Sequence, residues 1–455
     1  MPQQLLEVRR YYNSGATLPY AFRRQQLLAF KDALLKYEEK IYDALFQDLG
    51  KSREEAYGTE VGLVLAEINY TLKHLRKWML PKPVSTDVVN FPSKSKIYHD
   101  ALGVVLIIAP FNYPLQLIFK PLVGAIAGGN CAVVKPSELT PATAMLMEEI
   151  IRETFSPSYI HIVTGDGAVV IPELMNAFRF DHIFYTGSTT VGKVIYQQAA
   201  KDLIPVTLEL GGKSPCVIEA DANLKVAARR VVIGKFTNTG QTCIAPDYLL
   251  VHEEVKEKFL SLLKETIIDF YSAEPMQNKE YGRIINAKHF DRLVSYMADG
   301  TIVHGGNHDR KLLYIAPTII DGVATSHRIM KEEIFGPLLP VLTYRSTNDA
   351  MQIIQSNPDP LSFYLFTEDK LKEEQWISQL SFGNGCVNNT IWHFTNPHLP
   401  FGGTRFSGIG VYHGRFSFEL FTRPKSVMKT PTWPDPRIKY PPLKGKLGFL
   451  KTFIR

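Results

Sequence analysis

The feature that most limits the fold of this chain is an alternation of short apolar segments and helical segments between residues 103 and 210. The apolar segments are rich in Val, Ile and Leu, and each is only a few residues long. Such strands form parallel sheets that helices cover on both faces. The pattern predicts five strands, at residues 103–108, 131–135, 159–163, 181–185 and 206–210.

The rest of the chain continues the α/β pattern with less regularity. Helices are predicted between the first strands at 115–126, 142–153, 169–177 and 189–200, and earlier within 20–80, where Gly50 ends one helix and 61–78 forms another. A second α/β region is expected over about 213–385, with strands 215–219, 248–252, 338–344 and 362–366 and helices 222–236, 253–269 and 346–356. Residues 84–100 indicate an extended arm, and 386–425 give no regular pattern.

Length and composition indicate a globular protein of more than one domain. A chain of 455 residues exceeds the usual size of a single core, so we expect two or three domains. Hydrophobic residues make up 45% of the chain and charged residues 21%, as is typical of globular proteins. The longest apolar runs fall short of the roughly 20 residues that span a bilayer. Because the N-terminus lacks the apolar segment of a signal peptide, we expect a cytoplasmic location.

Charge and cysteine content narrow the expected partners. Most of the net charge of +6 comes from residues 431–455, so the remainder is nearly neutral and no nucleic-acid partner is predicted. This basic tail also carries Leu and Phe; we expect it to pack on protein, with peripheral membrane contact as the alternative. The four cysteines, at positions 131, 216, 243 and 386, show neither disulfide nor metal-ligand spacing, and no metal site is predicted.

Two residues could provide a nucleophile and a base. Cys243 lies in a loop of small residues between a predicted helix and a predicted strand, where a thiol of lowered pKa could attack a substrate. The alternative is that it is a small buried hydrophobe. Glu209 ends a predicted strand, at the sheet edge where α/β proteins bind ligands. Its alternative is an ion pair with Lys213.

Residues 187–192 form a turn rich in glycine and hydroxyl side chains between a predicted strand and a predicted helix. Free backbone N–H groups and the helix dipole make such a turn suitable for phosphate. The spacing departs from Gly-x-Gly-x-x-Gly, so an ordinary glycine turn is an equally simple interpretation.

Seven motifs in order resemble the NAD(P)-dependent aldehyde dehydrogenase superfamily over about residues 5–430; they are 109–114, 135–138, 187–192, 208–215, 240–243, 332–337 and 400–403. The short N-terminus and the segments 243–248 and 410–414 resemble the dimeric, class-3-like branch. The resemblance implies an α/β fold with a Rossmann-like parallel-sheet cofactor domain, an α/β catalytic domain and a small β bridging element. The implied boundaries are 1–80 with 101–210, then 211–390, then 81–100 with 391–430, and the tail 431–455.

The resemblance also implies roles for individual residues. Cys243 would attack the aldehyde to give a thiohemiacetal, Asn112 and the Cys243 N–H would stabilise the oxyanion, and Glu209 would activate water against the thioester. The implied cofactor is NAD, with NADP as an alternative. Cofactor contacts are implied at Lys135 and Glu138 for the adenosine ribose, at Gly187, Ser188 and Gly192 for the pyrophosphate, at Glu333 for the nicotinamide ribose and at Phe335 for the nicotinamide.

Alternatives remain for several of these residues. Glu333 could instead pair with Lys331, and Phe335 could be a core aromatic. Cys131 and Cys216 are predicted in the core and Cys386 in a structural position. His393 and Phe394 could shape a substrate tunnel or simply pack, and no role is predicted for Arg405.

The function predicted from the resemblance is oxidation of a medium-chain, long-chain or aromatic aldehyde to a carboxylic acid by a homodimer. One alternative is a relative that passes the acyl group to coenzyme A, against which Glu209 argues because it would hydrolyse the thioester. A second alternative is a non-catalytic, NAD-binding structural protein.

Overall fold

A six-stranded sheet forms the first half of the computed structural model, which describes residues 2–435 and 437–453. The five predicted strands are confirmed, each end within one residue of its predicted position. They pair in parallel, and a short sixth strand from the unassigned region adds antiparallel at one edge. The spatial order is Gly408–Ile409, Val206–Glu209, His182–Thr186, Val104–Ile108, Cys131–Lys135 and Ile160–Ile162.

A seven-stranded sheet organises the second half. All four strands predicted there are present, and three further strands were not predicted. The order is Thr301–His304, Thr318–Asp321, Leu338–Tyr344, Tyr248–His252, Pro215–Ile218, Ser362–Phe366 and Asn384–Val387, parallel except for the first pair. Within Pro215–Ile218, Cys216 and Ile218 face one apolar core and Val217 faces the other, so the sheet is buried on both faces. Cys131 and Cys216 are fully buried, as predicted.

The arm predicted at 84–100 belongs to a third, antiparallel sheet. Lys94–Ala101 lies at its centre, between Lys82–Val84 and Thr422–Lys429. A two-stranded ribbon joins His308–Asp309 to Tyr314–Ile315. The division of the chain into cofactor, catalytic and bridging domains stays a prediction.

Helices surround the two large sheets. Gly50, at φ 68°, ends the helix Glu38–Leu49 in the left-handed conformation that glycine favours. A π-helical turn, Tyr57–Val61, precedes Gly62–Trp78. Among the described residues, no helix has both the length and the apolarity needed to cross a bilayer. The α-helices are Pro2–Asn13, Tyr20–Lys36, Glu38–Leu49, Arg53–Ala56, Gly62–Trp78, Gln116–Gly128, Pro141–Thr154, Gly167–Ala177, Thr189–Ala200, Leu224–Phe236, Lys256–Tyr271, Ala287–Tyr296, Thr347–Gln355, Lys370–Gln379, Arg415–Leu420 and Leu447–Phe453.

Candidate active site

A cavity of about 510 Å³ lies at the carboxyl ends of two neighbouring strands. Thr186 and Glu209 end these strands as register partners, and both line the cavity. Cys243 lines it as well, so the structure brings the predicted thiol and carboxylate to one site. The rest of the wall is largely apolar and includes Phe236, Phe270, Tyr271, Ile391, Phe394 and Phe401.

The loop that leads to Cys243 holds three successive residues in the left-handed conformation. Asn238, Thr239 and Gly240 have φ angles of 52°, 54° and 72°. Only glycine adopts this conformation without strain, and Thr, being β-branched, is poorly suited to it. A side chain at Gly240 would also overlap the carbonyl oxygen of Gly336. The backbone here is therefore set by its surroundings and not by local preference.

Gln241 connects this loop to a neighbouring segment. Its amide nitrogen donates to the Arg283 carbonyl at 2.9 Å, and its amide oxygen accepts from the Ile285 N–H at 3.0 Å. Its own backbone carbonyl accepts a hydrogen bond from the Asn112 side chain at 3.0 Å. These bonds lie within two residues of Cys243 and fix the position of its backbone.

The thiol of Cys243 is half-buried in a cavity that carries negative charge. Burial, and then the nearby carboxylates of Glu333 and Glu209, raise the pKa of Cys243 well above its ordinary value. These surroundings favour the protonated thiol, so its attack requires a group that takes the proton.

Glu209 is 3% exposed, and neither carboxylate oxygen has a hydrogen-bond partner among the described residues. Burial raises the pKa of Glu209 well above its ordinary value. The alternative of an ion pair with Lys213 is wrong, because Lys213 pairs with Asp247 and also donates to two backbone carbonyls. A buried carboxylate without structural partners is a common sign of an acid–base role.

Asn112 lies behind the cavity wall, 1% exposed. One hydrogen of its side-chain amide is bonded to Gln241, and its Oδ1 atom has no partner within the described residues. Asn112 is not among the residues that line the cavity. It therefore contacts the nucleophile loop directly, and its amide keeps a second hydrogen that is free to donate.

Two buried pairs near Asn112 were not predicted. The Tyr113 and Thr242 hydroxyls are 2.5 Å apart, and both residues line the cavity. Lys51 forms a fully buried ion pair with Glu60 at 2.7 Å and also donates to the backbone carbonyl of Asn112 at 2.9 Å. Lysines and glutamates that will be buried have no distinctive local pattern, so the sequence offered no signal for the ion pair.

Lys135 and Glu138 form an ion pair at the end of the strand Cys131–Lys135. Lys135 is 2% exposed, whereas the Glu138 side chain is 40% exposed. A Cβ atom on Gly167 would lie 3.3 Å from the Lys135 ammonium, so the first residue of the next helix approaches the pair closely. These residues provide one cation and one accessible carboxylate at a helix N-terminus.

The two glycines of the turn at 187–192 pack closely against side chains of the neighbouring strands. A side chain at Gly187 would overlap the Tyr185 hydroxyl, and a Cβ atom on Gly192 would lie 2.6 Å from Leu210. The Ser188 side chain accepts a hydrogen bond from the first turn of the following helix at 3.4 Å. The predicted geometry of a strand, a glycine turn and a helix start is present.

Glu333 is half-buried, and its carboxylate lies against Gly211. A Cβ atom on Gly211 would be only 2.0 Å from the Glu333 Oε2 atom. Burial and the charge of Asp247 raise the pKa of Glu333 to about 8. No ion pair joins Glu333 to Lys331 within the described part of the chain. Phe335, at φ 51°, packs edge-on against Phe111 with ring centroids 5.7 Å apart.

The aromatic wall of the cavity is anchored by a polar cluster. Phe394 lines the cavity, as one interpretation predicted, but His393 does not. His393 contacts the Cys386 sulfur at 3.3 Å, pairs with Asn384 and stacks on Phe401 at a centroid distance of 6.1 Å. Cys386 is thus part of a structural cluster, as predicted.

Arg405, for which no role was predicted, lies away from the cavity lining. Its guanidinium contacts the buried carboxylate of Asp359 at 3.4 Å.

The comparison with known protein families decides which family the chain belongs to. The model of the aldehyde dehydrogenase family matches residues 8–427. The chain belongs to the aldehyde dehydrogenase family. This aldehyde dehydrogenase oxidises aldehydes with a nicotinamide cofactor. The family match and the similar solved structures confirm the predicted family, fold class and activity.

Individual relatives align over nearly all or all of the chain. A 4,4'-diaponeurosporen-aldehyde dehydrogenase of Staphylococcus aureus is 46% identical over 455 residues, which are 100% of this chain and 99% of the relative. A dimeric NADP-preferring aldehyde dehydrogenase of Canis lupus familiaris is 41% identical and aligns over 96% of this chain and 97% of its own. A substrate-bound structure of Staphylococcus aureus AldH superposes with a TM-score of 0.98 at 46% identity and covers 100% and 99% of the two chains.

Proposed function

We propose that Cys243 is the nucleophile and Glu209 the hydrolytic base of this dehydrogenase. The observation that carries the proposal is that both line one cavity, while the Glu209 carboxylate has no other partner among the described residues. The Cys243 thiol releases its proton to solvent water as its sulfur forms a bond to the aldehyde carbon, which gives the oxyanion of a thiohemiacetal. Loss of a hydride from the same carbon converts this oxyanion to a thioester, which water hydrolyses to the carboxylic acid.

Glu209 has the properties of the base that activates this water. A general base works best when its pKa approaches the working pH, and burial moves the pKa of Glu209 in that direction. Its carboxylate takes a proton from water as the oxygen attacks the thioester carbon. The sulfur of Cys243 then leaves, and the thiol recovers a proton.

Asn112 supports the step in which negative charge develops on the substrate oxygen. One amide hydrogen is bonded to the Gln241 carbonyl, and we propose that the second hydrogen donates to the oxyanion. The Cys243 N–H is the other proposed donor. Donors of this kind stabilise the transition state by about 3–4 kcal/mol each.

The residues proposed to hold the cofactor fit a dinucleotide. The N-terminus of the helix Thr189–Ala200, which follows the turn at 187–192, suits a pyrophosphate, and the accessible Glu138 carboxylate beside Lys135 suits ribose hydroxyls. Glu333 is proposed to contact the nicotinamide ribose, and Phe335 the nicotinamide. When bound, the nicotinamide accepts the hydride that leaves the aldehyde carbon.

The cavity favours apolar aldehydes. Its walls are mostly aliphatic and aromatic, and its volume of about 510 Å³ exceeds the needs of a two-carbon or three-carbon substrate. We therefore propose medium-chain, long-chain and aromatic aldehydes as substrates. Because a relative is named for it, 4,4'-diaponeurosporen-aldehyde belongs in the set to be tested.

We also propose a cytoplasmic homodimer. The three-stranded sheet ends in the strand Thr422–Lys429, whose outer edge has no partner strand among the described residues. Val427 is 40% exposed and Met428 51%, and Val88 and Phe91 nearby are also exposed. Open edges with apolar side chains favour pairing with another chain. Four free cysteines agree with a reducing compartment.

An initial-rate panel tests the proposed substrate class. Propanal, decanal and benzaldehyde are each measured with NAD and with NADP, with and without coenzyme A. We expect a lower KM for decanal and benzaldehyde than for propanal, and free carboxylic acid as the product without coenzyme A. A requirement for coenzyme A would contradict the hydrolytic role of Glu209, and a preference for propanal would contradict the substrate class.

A further inference from the structure

A buried lysine lies next to the cavity without an ion-pair partner. Lys120, in the fully buried helix Gln116–Gly128, is 4% exposed and makes no ion pair in the part of the chain that the structure describes. Its ammonium lies 3.1 Å from the Nε2 atom of His413. Glu67, also buried, is the carboxylate whose charge acts on it. A buried cation is costly to maintain, so this arrangement calls for a physical reason.

His413 is held in an unfavourable backbone conformation. Its φ is 83°, and Gly414 follows at 52°. The His413 N–H donates to the Ser417 hydroxyl at 2.8 Å, and the Gly414 N–H donates to the Glu67 carboxylate at 2.7 Å. Left-handed backbone at a residue other than glycine costs about 1–3 kcal/mol and persists where the surroundings impose it. The position of the imidazole is therefore imposed by the fold.

The contact with Lys120 also selects the tautomer of His413. An ammonium offers only hydrogens, so Nε2 must accept, and the ring hydrogen must lie on Nδ1. Burial and the charge of Lys120 lower the pKa of His413 well below its ordinary value, which keeps the ring neutral. A series of contacts thus runs from Lys120 through His413 to Phe401, on which the His413 ring stacks.

This series of contacts ends at the apolar wall of the cavity. Phe394, Phe401 and His413 all line the cavity, and His413 stacks on Phe401 at 4.9 Å and 13°. Behind them lies a second cavity of about 50 Å³, lined by Lys120, Glu67, Phe394 and His413 among others. Phe394 and His413 therefore form a partition with open space on both sides, and packing alone does not hold it.

We propose that Lys120 is a positioning residue that, through His413, holds Phe401 in place against the apolar part of the aldehyde. The inference rests on the proposed use of this cavity for apolar aldehydes. It concerns the binding of the apolar chain and leaves the chemistry at Cys243 unchanged. The effect should therefore depend on the length of the substrate.

Two variants at one position test the proposal. Lys120→Met keeps the length of the side chain and removes its hydrogen-bond donors, whereas Lys120→Gln keeps a donor for His413. For Lys120→Met we expect KM for decanal to rise by about tenfold with kcat within about twofold, since uniform binding is lost. KM for propanal should stay within about twofold, and Lys120→Gln should restore most of the decanal affinity.

The outcomes separate this inference from the proposed function. If wild-type enzyme oxidises decanal and Lys120→Met shows an unchanged KM, the positioning role is wrong and the proposed function stands. Equal losses for propanal and decanal, or a loss confined to kcat, also overturn it. If decanal is no substrate of the wild type, the proposed substrate class fails first, and the inference falls with it.

A spectroscopic measurement does not depend on the folding of Lys120→Met. Wild-type protein labelled with ¹⁵N-histidine, assigned with a His413→Phe variant, reports the tautomer of His413 directly. We expect a protonated Nδ1 and an unprotonated Nε2 at neutral pH. A hydrogen on Nε2 would overturn the proposed contact with Lys120.

Discussion

The side-chain amide of Asn112 donates to the backbone carbonyl of Gln241 at 3.0 Å, two residues before Cys243. A residue implicated in oxyanion stabilisation is therefore also a structural tie of the nucleophile loop. Both functions depend on one amide with two hydrogens, so they must be separated by measuring structure and rate in the same variant.

Replacing Asn112 with Ala should lower kcat by about 10²–10³, because one oxyanion donor is removed. The lost bond to Gln241 should lower the thermal midpoint as well. Reaction of Cys243 with iodoacetamide and binding of the cofactor report whether the loop is intact. If both are unchanged and kcat is also unchanged, Asn112 has only the structural role.

Replacing Cys243 with Ala should abolish dehydrogenase turnover, because no thiohemiacetal can form, while cofactor binding by fluorescence titration should persist. Cys386→Ala is the matched control, since that thiol is also half-buried but belongs to the His393 cluster. Substantial aldehyde oxidation by Cys243→Ala would refute the proposed nucleophile.

Replacing Glu209 with Gln keeps the volume and removes the base. Steady-state turnover should fall by about 10²–10⁴, the usual contribution of a general base. A first burst of reduced cofactor should remain, because thioester formation precedes the hydrolytic step. Rapid-mixing absorbance measures both phases, and a normal steady state without a burst would contradict the role.

The same carboxyl predicts a pH dependence. Glu209 acts as a base only after it loses its proton, and burial raises its pKa above the ordinary value. The wild-type kcat should therefore rise with pH through a range above the usual titration of glutamate. In Glu209→Gln this limb should disappear, and its persistence would assign the titration to another group such as Glu333.

Replacing Glu138 with Gln should improve the use of NADP relative to NAD by about fivefold or more in kcat/KM, because a negative charge near a 2′-phosphate is removed. Glu148→Gln is a suitable control, since that carboxylate pairs with Arg152 on a helix. An unchanged cofactor ratio would show that Glu138 does not face the ribose.

Replacing Lys51 with Met should destabilise the protein by about 3–5 kcal/mol, because the fully buried Glu60 carboxylate loses its cation. The double variant with Glu60→Gln should recover part of this loss. Urea unfolding followed by tryptophan fluorescence measures both variants. If the single and double variants lose the same stability, the ion pair is not the source.

The sequence patterns predicted the strands and helices that are long and apolar. They missed short strands that form only because they pair with residues far away in the sequence. The strand Val104–Ile108 was predictable because a short, continuous run of apolar, mostly β-branched residues is typical of a buried strand. Gly408–Ile409 was not, since two residues carry no periodicity and only the neighbouring strand at Glu209 makes them a strand.

The site shows the same division. The motif resemblance predicted that Cys243 and Glu209 share one site. It could not predict that Lys213 pairs with Asp247, or that the Glu209 carboxylate has no hydrogen-bond partner among the described residues. The Lys120 and His413 contact joins residues 293 positions apart. No local pattern encodes such a contact, because it depends on how two elements pack.

The left-handed run from Asn238 to Gly240 has a consequence for the evolution of the catalytic loop. A backbone conformation that is unfavourable in isolation must be imposed by the rest of the fold. Its conformational free-energy cost is therefore incurred during folding and not when the substrate binds. The loop that carries the thiol is held in this conformation by its hydrogen bonds to neighbouring segments. Substitutions that relieve the strain at residues 238–240 should raise the free energy of unfolding and lower the turnover rate. Selection for stability and selection for rate therefore act on this segment in opposite directions.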